Sequence, residues 1–376
     1  MDKSAAIEYL GNFVRKMVAD GCDDRSSYKD WVGEHEQAME EMLCYKRQPG
    51  MGPITAMVQV SFHPRLDLIG LNYTRVAQNI LWKFEGGWTK PLEMCRGIVY
   101  NFRGELVAKP FGKLHNSGEH DKLGTLPDES LEATFKHDGD CGINFWYARK
   151  FRTTTRGTFT YESARVAEAM IDRISERKGW KYKPDLKRTT IITEIIHPCT
   201  HHIQDYGRKR QLILIGAYNL DTLEDMRYSD LSALGKSLGL RVTELWPGNT
   251  VEELKAHVAD RNTPGEGYVA RFESGLRAKF KCATHVSKMI KAQVDQMGYG
   301  YLMNQLANGS CQEKLLLLDE ESLPTVQGMV DQLNQARIIS DVKQRRAHLY
   351  SLVPAEGLTD TYRGQCSRFL KSLAST

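Results

Sequence analysis

The sequence predicts an α+β protein in which an antiparallel, sheet-rich core (residues 54–283) lies between a helical N-terminal extension (1–53) and an all-helical C-terminal domain (284–376). Three observations predict it. Apolar residues recur every three to four positions in both flanks, and alternating or β-branched runs fill the middle. The chain-breaking stretch Gln48-Pro49-Gly50-Met51-Gly52-Pro53 stands where the first pattern gives way to the second. At 376 residues and 41% hydrophobic, the chain is long enough to bury a sizeable core and make two or three domains. It has no run of about 18 apolar residues and no signal-like amino terminus, so neither a membrane span nor secretion is expected, and the expected compartment is cytoplasmic. Eight cysteines without a Cys-x-x-Cys pair argue for reduced thiols, against both a disulfide framework and a zinc ribbon. A net charge of +4 is mild, so affinity for nucleic acid would have to come from local Lys and Arg clusters.

In chain order, Ile7, Leu10, Phe13, Val14 and Met17 mark one face of a helix over 3–20, with Gly21 as its stop. Trp31, Met39, Met42 and Leu43 predict a second helix over 28–45. The period then changes to two, and 54–62, 66–73 and 76–84 are expected as short strands. Met94 to Tyr100 and Leu106 to Phe111, joined by a polar turn, form a hairpin whose exit carries Lys113, His115 and Asn116. The run Glu132 to Lys136 delivers a lysine to an Asp138-Gly139 turn, and strands are expected over 142–149 and 150–155, ending at Arg156-Gly157. A helix over 161–177 carries an apolar stripe assigned to packing. The basic loop 178–188 follows, a solvated face or a nucleic-acid contact.

Thr189 to Ile196 is a β-branched strand interrupted by Glu194. A carboxylate there is costly without a cationic, metal or hydroxyl partner, which marks Glu194 as a site residue. His197, Cys199, His201 and His202 have the residue types of a zinc site, but one short proline-containing segment would have to supply every ligand, so a polar loop is the better reading. Strands at 211–218 and 241–246 alternate with helices near 229–238 and 250–261, the last with Thr250 as cap. Gly265-Glu266-Gly267 puts an acid at the start of a strand, and Lys279 and Lys281, two apart, face the same side of the next. Helical stripes return over 286–306, 313–317, 325–349 and 361–373.

Each of these features alone has a structural explanation, such as a solvated hairpin end or a basic edge strand. Their order is more specific. Arg96-Gly97, Lys113, Lys136-x-Asp138-Gly139, Arg156-Gly157, Glu194, Glu266-Gly267-x-Val269 and Lys279-x-Lys281 together resemble the covalent nucleotidyltransferases. Within them, the Cys95-Arg96-Gly97 hairpin and the Pro110-Phe111-x-Lys113-x-x-Asn116 exit are most similar to ATP-dependent RNA ligases of the phage RNA ligase 1 type. The resemblance covers about half the chain, Cys95 to Lys281, and implies an ATP-grasp-like ligase core.

The resemblance further implies that Lys136 attacks the α-phosphate of ATP to form lysyl-AMP. AMP would then pass to a 5′-phosphate RNA end, and a 3′-hydroxyl would displace it. Arg96, Lys113, Lys279 and Lys281 would lie at the phosphates. Arg156, Asp138 and Gly139 would contact the nucleotide. Glu194 and Glu266 would contact ribose and hold Mg²⁺, with Mn²⁺ as a substitute. Implied partners are single-stranded or tRNA-like RNA ends in RNA repair, handled by a monomer without membrane contact, in the host cytoplasm if the protein is phage-encoded. The sequence departs from the family pattern at Met94, where related ligases carry Glu, at Asp140-Cys141-Gly142, and at the His201 to Tyr206 run. The helical tail disfavours DNA ligases and capping enzymes, which continue into an OB domain. A GTP-dependent capping-type transferase and a non-catalytic RNA-end-binding protein remain as alternatives. Lys343, Arg345, Arg346 and Arg363 would be RNA contacts or a solvated helix face.

Overall fold

The computed structural model describes residues 2–119, 126–200 and 203–374, and the chain divides into two compact units, 1–285 and 286–376. The first begins with helices α1 (Lys3–Ala19) and α2 (Arg25–Met42). Asp2 caps α1 by accepting the Ala5 N–H at 2.8 Å, and the stripe Ile7, Leu10, Phe13, Val14 and Met17 is buried as its spacing requires. The hydroxyl of Tyr100 donates to the carbonyl of Ile7 at 2.8 Å, so the amino-terminal helices belong to the same packed body as the sheets.

The strands are β1 (Val58–Phe62), β2 (Leu68–Tyr73), β3 (Arg96–Asn101), β4 (Leu106–Ala108), β5 (His115–Asn116), β6 (Leu131–Lys136), β7 (Asp140–Tyr147), β8 (Lys150–Thr155), β9 (Thr189–Ile196), β10 (Gln211–Asn219), β11 (Arg241–Val242), β12 (Gly267–Phe272) and β13 (Arg277–Lys281). They form three sheets, ordered β1-β2-β3-β4, β11-β10-β9-β7-β8 and β5-β13-β12-β6. The pairings are antiparallel except β10 with β11 and β13 with β5.

Three expectations are corrected here. The strand expected over 76–84 is helix α4 (Arg75–Ile80) followed by a 3₁₀ turn, Leu81–Lys83. Thr74 caps it by accepting the Ala77 N–H at 3.2 Å, and Ala77, Ile80 and Leu81 are buried at helical spacing, so capping and tertiary burial override the β-branched look of the run. The strand expected over 54–62 opens with one helical turn, α3 (Ile54–Met57). Of the strand expected over 241–246, Arg241 and Val242 pair with β10. The chain then crosses, with the Thr243 N–H on the Leu214 carbonyl at 2.9 Å and the Trp246 N–H on the Ala133 carbonyl at 2.8 Å, tying the second sheet to the third.

Helix α5 (Lys90–Met94) leads into β3. Helices α6 (Glu162–Lys178) and α7 (Tyr228–Leu238) cover one face of the second sheet over a core that includes Ile171, Trp180, Ile191, Ile195, Leu214 and Leu238. Helix α8 (Val251–Ala259), capped by Thr250 through the Glu253 N–H at 3.3 Å, seats Leu254 and Val258 on Ala133, Ala270, Ala278 and Phe280 of the third sheet.

The second unit continues α9 (Ala283–Met297) through α10 (Tyr299–Ala307), α11 (Cys311–Leu315), α12 (Leu323–Ile338), α13 (Val342–Ser351) and α14 (Asp360–Ala374), with no strand among its described residues. The single helices expected over 286–306 and 325–349 are each two. Gly298, at φ +43°, divides the first, and Asp341 starts a new helix in the second by accepting the Gln344 N–H at 2.8 Å. Leu302, Met303, Val326, Leu333, Leu349 and Phe369 fill this unit's own core. Among the described residues, no helix is long and apolar enough to cross a membrane. All eight cysteines are free, as expected.

Gly267 is the tightest backbone position of the third sheet. It sits at φ +147°, and a Cβ there would lie 2.1 Å from the carbonyl oxygen of Phe280 on β13. Gly267→Ala is expected to cost about 3 kcal/mol or more, through strain and lost β12–β13 pairing. Thermal unfolding checks this against Gly33→Ala, whose site on α2 is open and which should leave the melting temperature unchanged or raised.

Candidate active site

The antiparallel register sets Lys136 of β6 opposite Gly267 of β12, and Gly267 opposite Lys281 of β13. Two residues along, Thr134, Val269 and Lys279 form the next row on the same face. Directly opposed residues share a face. Lys136, Lys279 and Lys281 therefore project from the same side of the sheet, while Ala278 and Phe280 turn into the core beneath α8. A Cβ on Gly267 would meet the Phe280 carbonyl and the Lys281 Cα, so glycine lets these strands approach closely. Glu266, immediately before it and buried, forms an ion pair with the Lys136 ammonium. Burial alone would raise the Glu266 carboxyl, but Lys136 and Lys281 outweigh it and hold the group below the usual carboxylate range.

The turn after Lys136 is pinned to the second sheet. The Gly139 N–H donates to Oε1 of Glu194 at 2.9 Å. A Cβ on Gly139 would lie 2.7 Å from the Ile195 carbonyl oxygen, so only glycine lets the turn sit this close to β9. Glu194 stands between Cys141 and Ile213 in a strand buried along its whole length. Burial pushes its carboxyl up to about 7, against the pull of Lys136 and the Gly139 N–H. Asp138 is held from the far side: its N–H donates to the Tyr206 hydroxyl at 3.0 Å, and its Oδ2 accepts the Gln204 N–H at 2.8 Å. Tyr206 belongs to a run that departs from the family pattern, yet it reaches the site.

Opposite this turn stands a wall of cations. Arg96, Lys113 and Arg156 converge on Tyr73, a buried residue at the end of β2. The Arg156 guanidinium carbon lies 5.1 Å from the Tyr73 ring centre, and Lys113 Nζ lies 5.8 Å from Tyr73 and 5.1 Å from Trp88. Arg96 and the Tyr73 phenol act on each other through their charges. Burial would raise this phenol, but Arg156, Lys113, Arg96 and Lys279 together bring it down to about 8. One guanidinium nitrogen each of Arg96 and Arg156 is buried with no hydrogen-bond partner among the described residues. Buried donors without partners are costly unless a ligand completes them, and planar guanidinium forks match phosphate oxygens. Met94 itself follows an acid, Glu93. Glu93 forms an ion pair with Lys90 at 2.7 Å, lies 3.8 Å from Nε2 of His115, and accepts the Lys113 N–H on its backbone carbonyl at 2.7 Å.

Among the described residues, one group has the donors of a metal site: Asp138, Glu266 and His285 present ligand atoms within 4.8 Å of one another. Two carboxylates and an imidazole form a donor set that fits a divalent cation. Glu194, given to the metal by resemblance, is not in the group, and its Oε1 accepts the Gly139 N–H. His197 and Cys199 hydrogen-bond each other, Nδ1 to Sγ at 3.0 Å, and are not in the group; His201 and His202 lie outside the described residues.

The fold thus brings together all ten residues singled out in the sequence: Arg96, Lys113, Lys136, Asp138, Gly139, Arg156, Glu194, Glu266, Lys279 and Lys281. Sequence reasoning missed Tyr73, Trp88, Gln204 and His285. A tyrosine closing an apolar strand is a faint signal for the first. His285 gives none, since it reaches Glu266 only because β13 runs straight into α9, with the Cys282 N–H on the Glu266 carbonyl at 2.9 Å.

Comparison with family models matches residues 94–350 to the RNA ligase family of the T4 RNA ligase 1 type. The chain belongs to that family. The matched span contains all ten residues, whereas Tyr73 and Trp88 lie ahead of it. A comparison with curated proteins finds no match. Among solved structures, a Naegleria gruberi RNA ligase with PPi is 16% identical with a TM-score of 0.39, covering 47% of this chain and 56% of that one. A variant of the same ligase with ATP and Mn is 16% identical at 0.39, covering 49% and 60%; another with AMP and Mn is 17% identical at 0.38, with the same coverage. The chain spans little more than half the length of these neighbours.

In this RNA ligase family member, the cation wall has a spectroscopic consequence. One tyrosine is expected to ionise with a midpoint near 8, visible as phenolate absorbance in a pH titration of the folded protein. Tyr73→Phe should abolish that early transition.

Proposed function

We propose that the protein is an ATP-dependent RNA ligase that seals 5′-phosphate and 3′-hydroxyl RNA ends through a lysyl-AMP intermediate on Lys136. The observation that carries this reading is the row Lys136, Gly267, Lys281. It sets Lys136 and Lys281 in one row, both acting on Glu266, in an RNA ligase family chain that also buries partnerless guanidinium nitrogens of Arg96 and Arg156 among the described residues.

The chemistry follows from the groups present. A lysine attacks phosphorus only as the free amine, so the Lys136–Glu266 ion pair has to open and the ammonium lose a proton first. The Lys136 nitrogen then attacks the α-phosphorus of ATP, a P–N bond forms, the P–O bond to pyrophosphate breaks, and pyrophosphate leaves. Arg96, Lys113, Arg156, Lys279 and Lys281 supply fixed positive charge to the triphosphate and to the charge that builds on the departing pyrophosphate. In the second step an oxygen of the RNA 5′-phosphate attacks the same phosphorus and returns Lys136 as the leaving group. In the third, the 3′-hydroxyl attacks the activated 5′-phosphate and AMP departs. Glu194 fixes the nucleophile's turn through the Gly139 N–H and is assigned to the nucleoside side of the site.

Asp138, Glu266 and His285 would hold the divalent cation, Mg²⁺ or Mn²⁺, which when bound would neutralise phosphate charge. Residues 54–283 are assigned as the adenylation domain, 1–53 as its helical extension and 284–376 as a helical domain. The biological setting assigned is repair of single-stranded or tRNA-like RNA in the cytoplasm, by a monomer.

Incubation with α-phosphate-labelled ATP or GTP and Mg²⁺, followed by denaturing electrophoresis, tests the reading. Label should be retained from ATP, be lost in Lys136→Ala, and chase onto 5′-phosphorylated RNA. Label from GTP would favour a capping-type transferase, and none from either nucleotide a non-catalytic end-binding protein. The donor set is tested separately, by Mn²⁺ binding to the nucleotide-free protein followed by electron paramagnetic resonance. His285→Ala should weaken Mn²⁺ about tenfold and Mg²⁺ less, because Mg²⁺ relies on oxygen donors.

A further inference from the structure

We propose that the groove between α6 and the segment entering β10 binds the sugar-phosphate backbone of the single-stranded RNA substrate. This rests on the ligase reading above but concerns a surface outside the nucleotide site. The groove is a cavity of about 610 Å³ whose polar lining is Arg173, Arg177, Arg210 and His197, over an apolar floor that includes Met170 and Ile174. No carboxylate lines it; Glu162, at the start of α6, acts on His197 only through its charge.

Helix α6 sorts its charges by face. Glu168 and Asp172 turn toward β8, where Lys150 meets both at 2.9 Å and Arg152 meets Glu168 at 3.4 Å. Arg173 and Arg177, one turn apart, line the groove instead. Neither they nor Arg210 have an ion-pair or hydrogen-bond partner among the described residues. Burial and the nearby Arg210 charge both disfavour positive charge on His197. Guanidinium forks over an apolar floor suit phosphates with ribose or bases lying between them.

The groove connects to the catalytic turn through the chain itself. β9 carries Glu194 and runs into His197, and the segment whose Gln204 and Tyr206 grip Asp138 ends in Arg208-Lys209-Arg210. Arg210 lies four residues beyond the Tyr206 anchor, a span of at most about 14 Å. A strand held by the arginines therefore lies within a few nucleotides of the nucleophile's turn.

The test uses the full chain and a 5′-phosphorylated single-stranded RNA of about twenty nucleotides, labelled at its 3′ end. Binding is followed by fluorescence anisotropy between about 50 and 200 mM salt. Lysyl-AMP formation without RNA is measured in parallel. R173E/R177E should weaken RNA binding about tenfold or more and lower the salt slope by about 1.4, the change expected when two phosphates are no longer neutralised, with lysyl-AMP yield unchanged. Unchanged affinity and slope would overturn the proposal, and so would loss of binding confined to K343E/R346E on α13. If R173E/R177E lost adduct formation as well, R173A/R177A, checked for an unaltered melting temperature, decides: weaker RNA binding supports the groove and wild-type binding rejects it. Failure of the wild-type protein to form lysyl-AMP would count against the ligase reading while leaving the RNA-binding comparison intact.

Discussion

The site depends on the close approach of three strands at Gly267. Because that residue has no side chain, the carbonyl of Phe280 occupies the space a Cβ would need, and β13 closes on β12 at the point where β6 ends. The approach puts Lys136 and Lys281 in one row, both acting on Glu266. It also fixes where the chain leaves β13, and so where the first turn of α9 delivers His285. A local backbone constraint thereby decides which charged groups meet.

Those meetings are electrostatically unbalanced, in a way that suits an anionic ligand. Four cations act on Tyr73, and buried nitrogens of Arg96 and Arg156 have no partner among the described residues. In an interior of low polarisability such an arrangement costs free energy that the surrounding packing must offset. The framework doing so is apolar and continuous, with β9 buried along its length and the cores under α6, α7 and α8 on either side. The carboxylates are partitioned as well. Glu266 is kept charged by two lysines, whereas burial drives Glu194 toward its protonated form. Two acids that look alike in the sequence therefore differ in how readily they take up a proton.

Much of the fold is legible in the sequence because its signals are local. Capping residues such as Thr250, the alternation of β6 and β13, and the stripes of α1 and α6 follow from periods of two and 3.6 and from side-chain hydrogen bonds within a few residues. Sequence and structure part where local and tertiary preferences disagree. The run 76–84 has strand-like composition, yet Thr74 and the burial of Ala77, Ile80 and Leu81 make it helical. Segment 241–246 is extended but passes from one sheet to another, which no period reports. The stripes over 286–306 and 325–349 run through a break, because apolar spacing does not show where Gly298 or Asp341 restarts the count.

The sequence by itself determined the types and the order of the reactive residues, since Lys136-x-Asp138-Gly139, Glu194, Glu266 and Lys279-x-Lys281 are set by spacing along the chain. It also determined that Lys279 and Lys281 share a face, because the pleat alternates side chains with a period of two. Only the tertiary structure decided which of these residues touch. It paired Lys136 with Glu266, gave Glu194 to the Gly139 N–H, and recruited Tyr73, Tyr206 and His285 from segments far apart in the chain. The reason is physical. Contact between strands is fixed by register and by close approach at single glycines, and both depend on which surfaces are buried together, not on any one stretch of sequence.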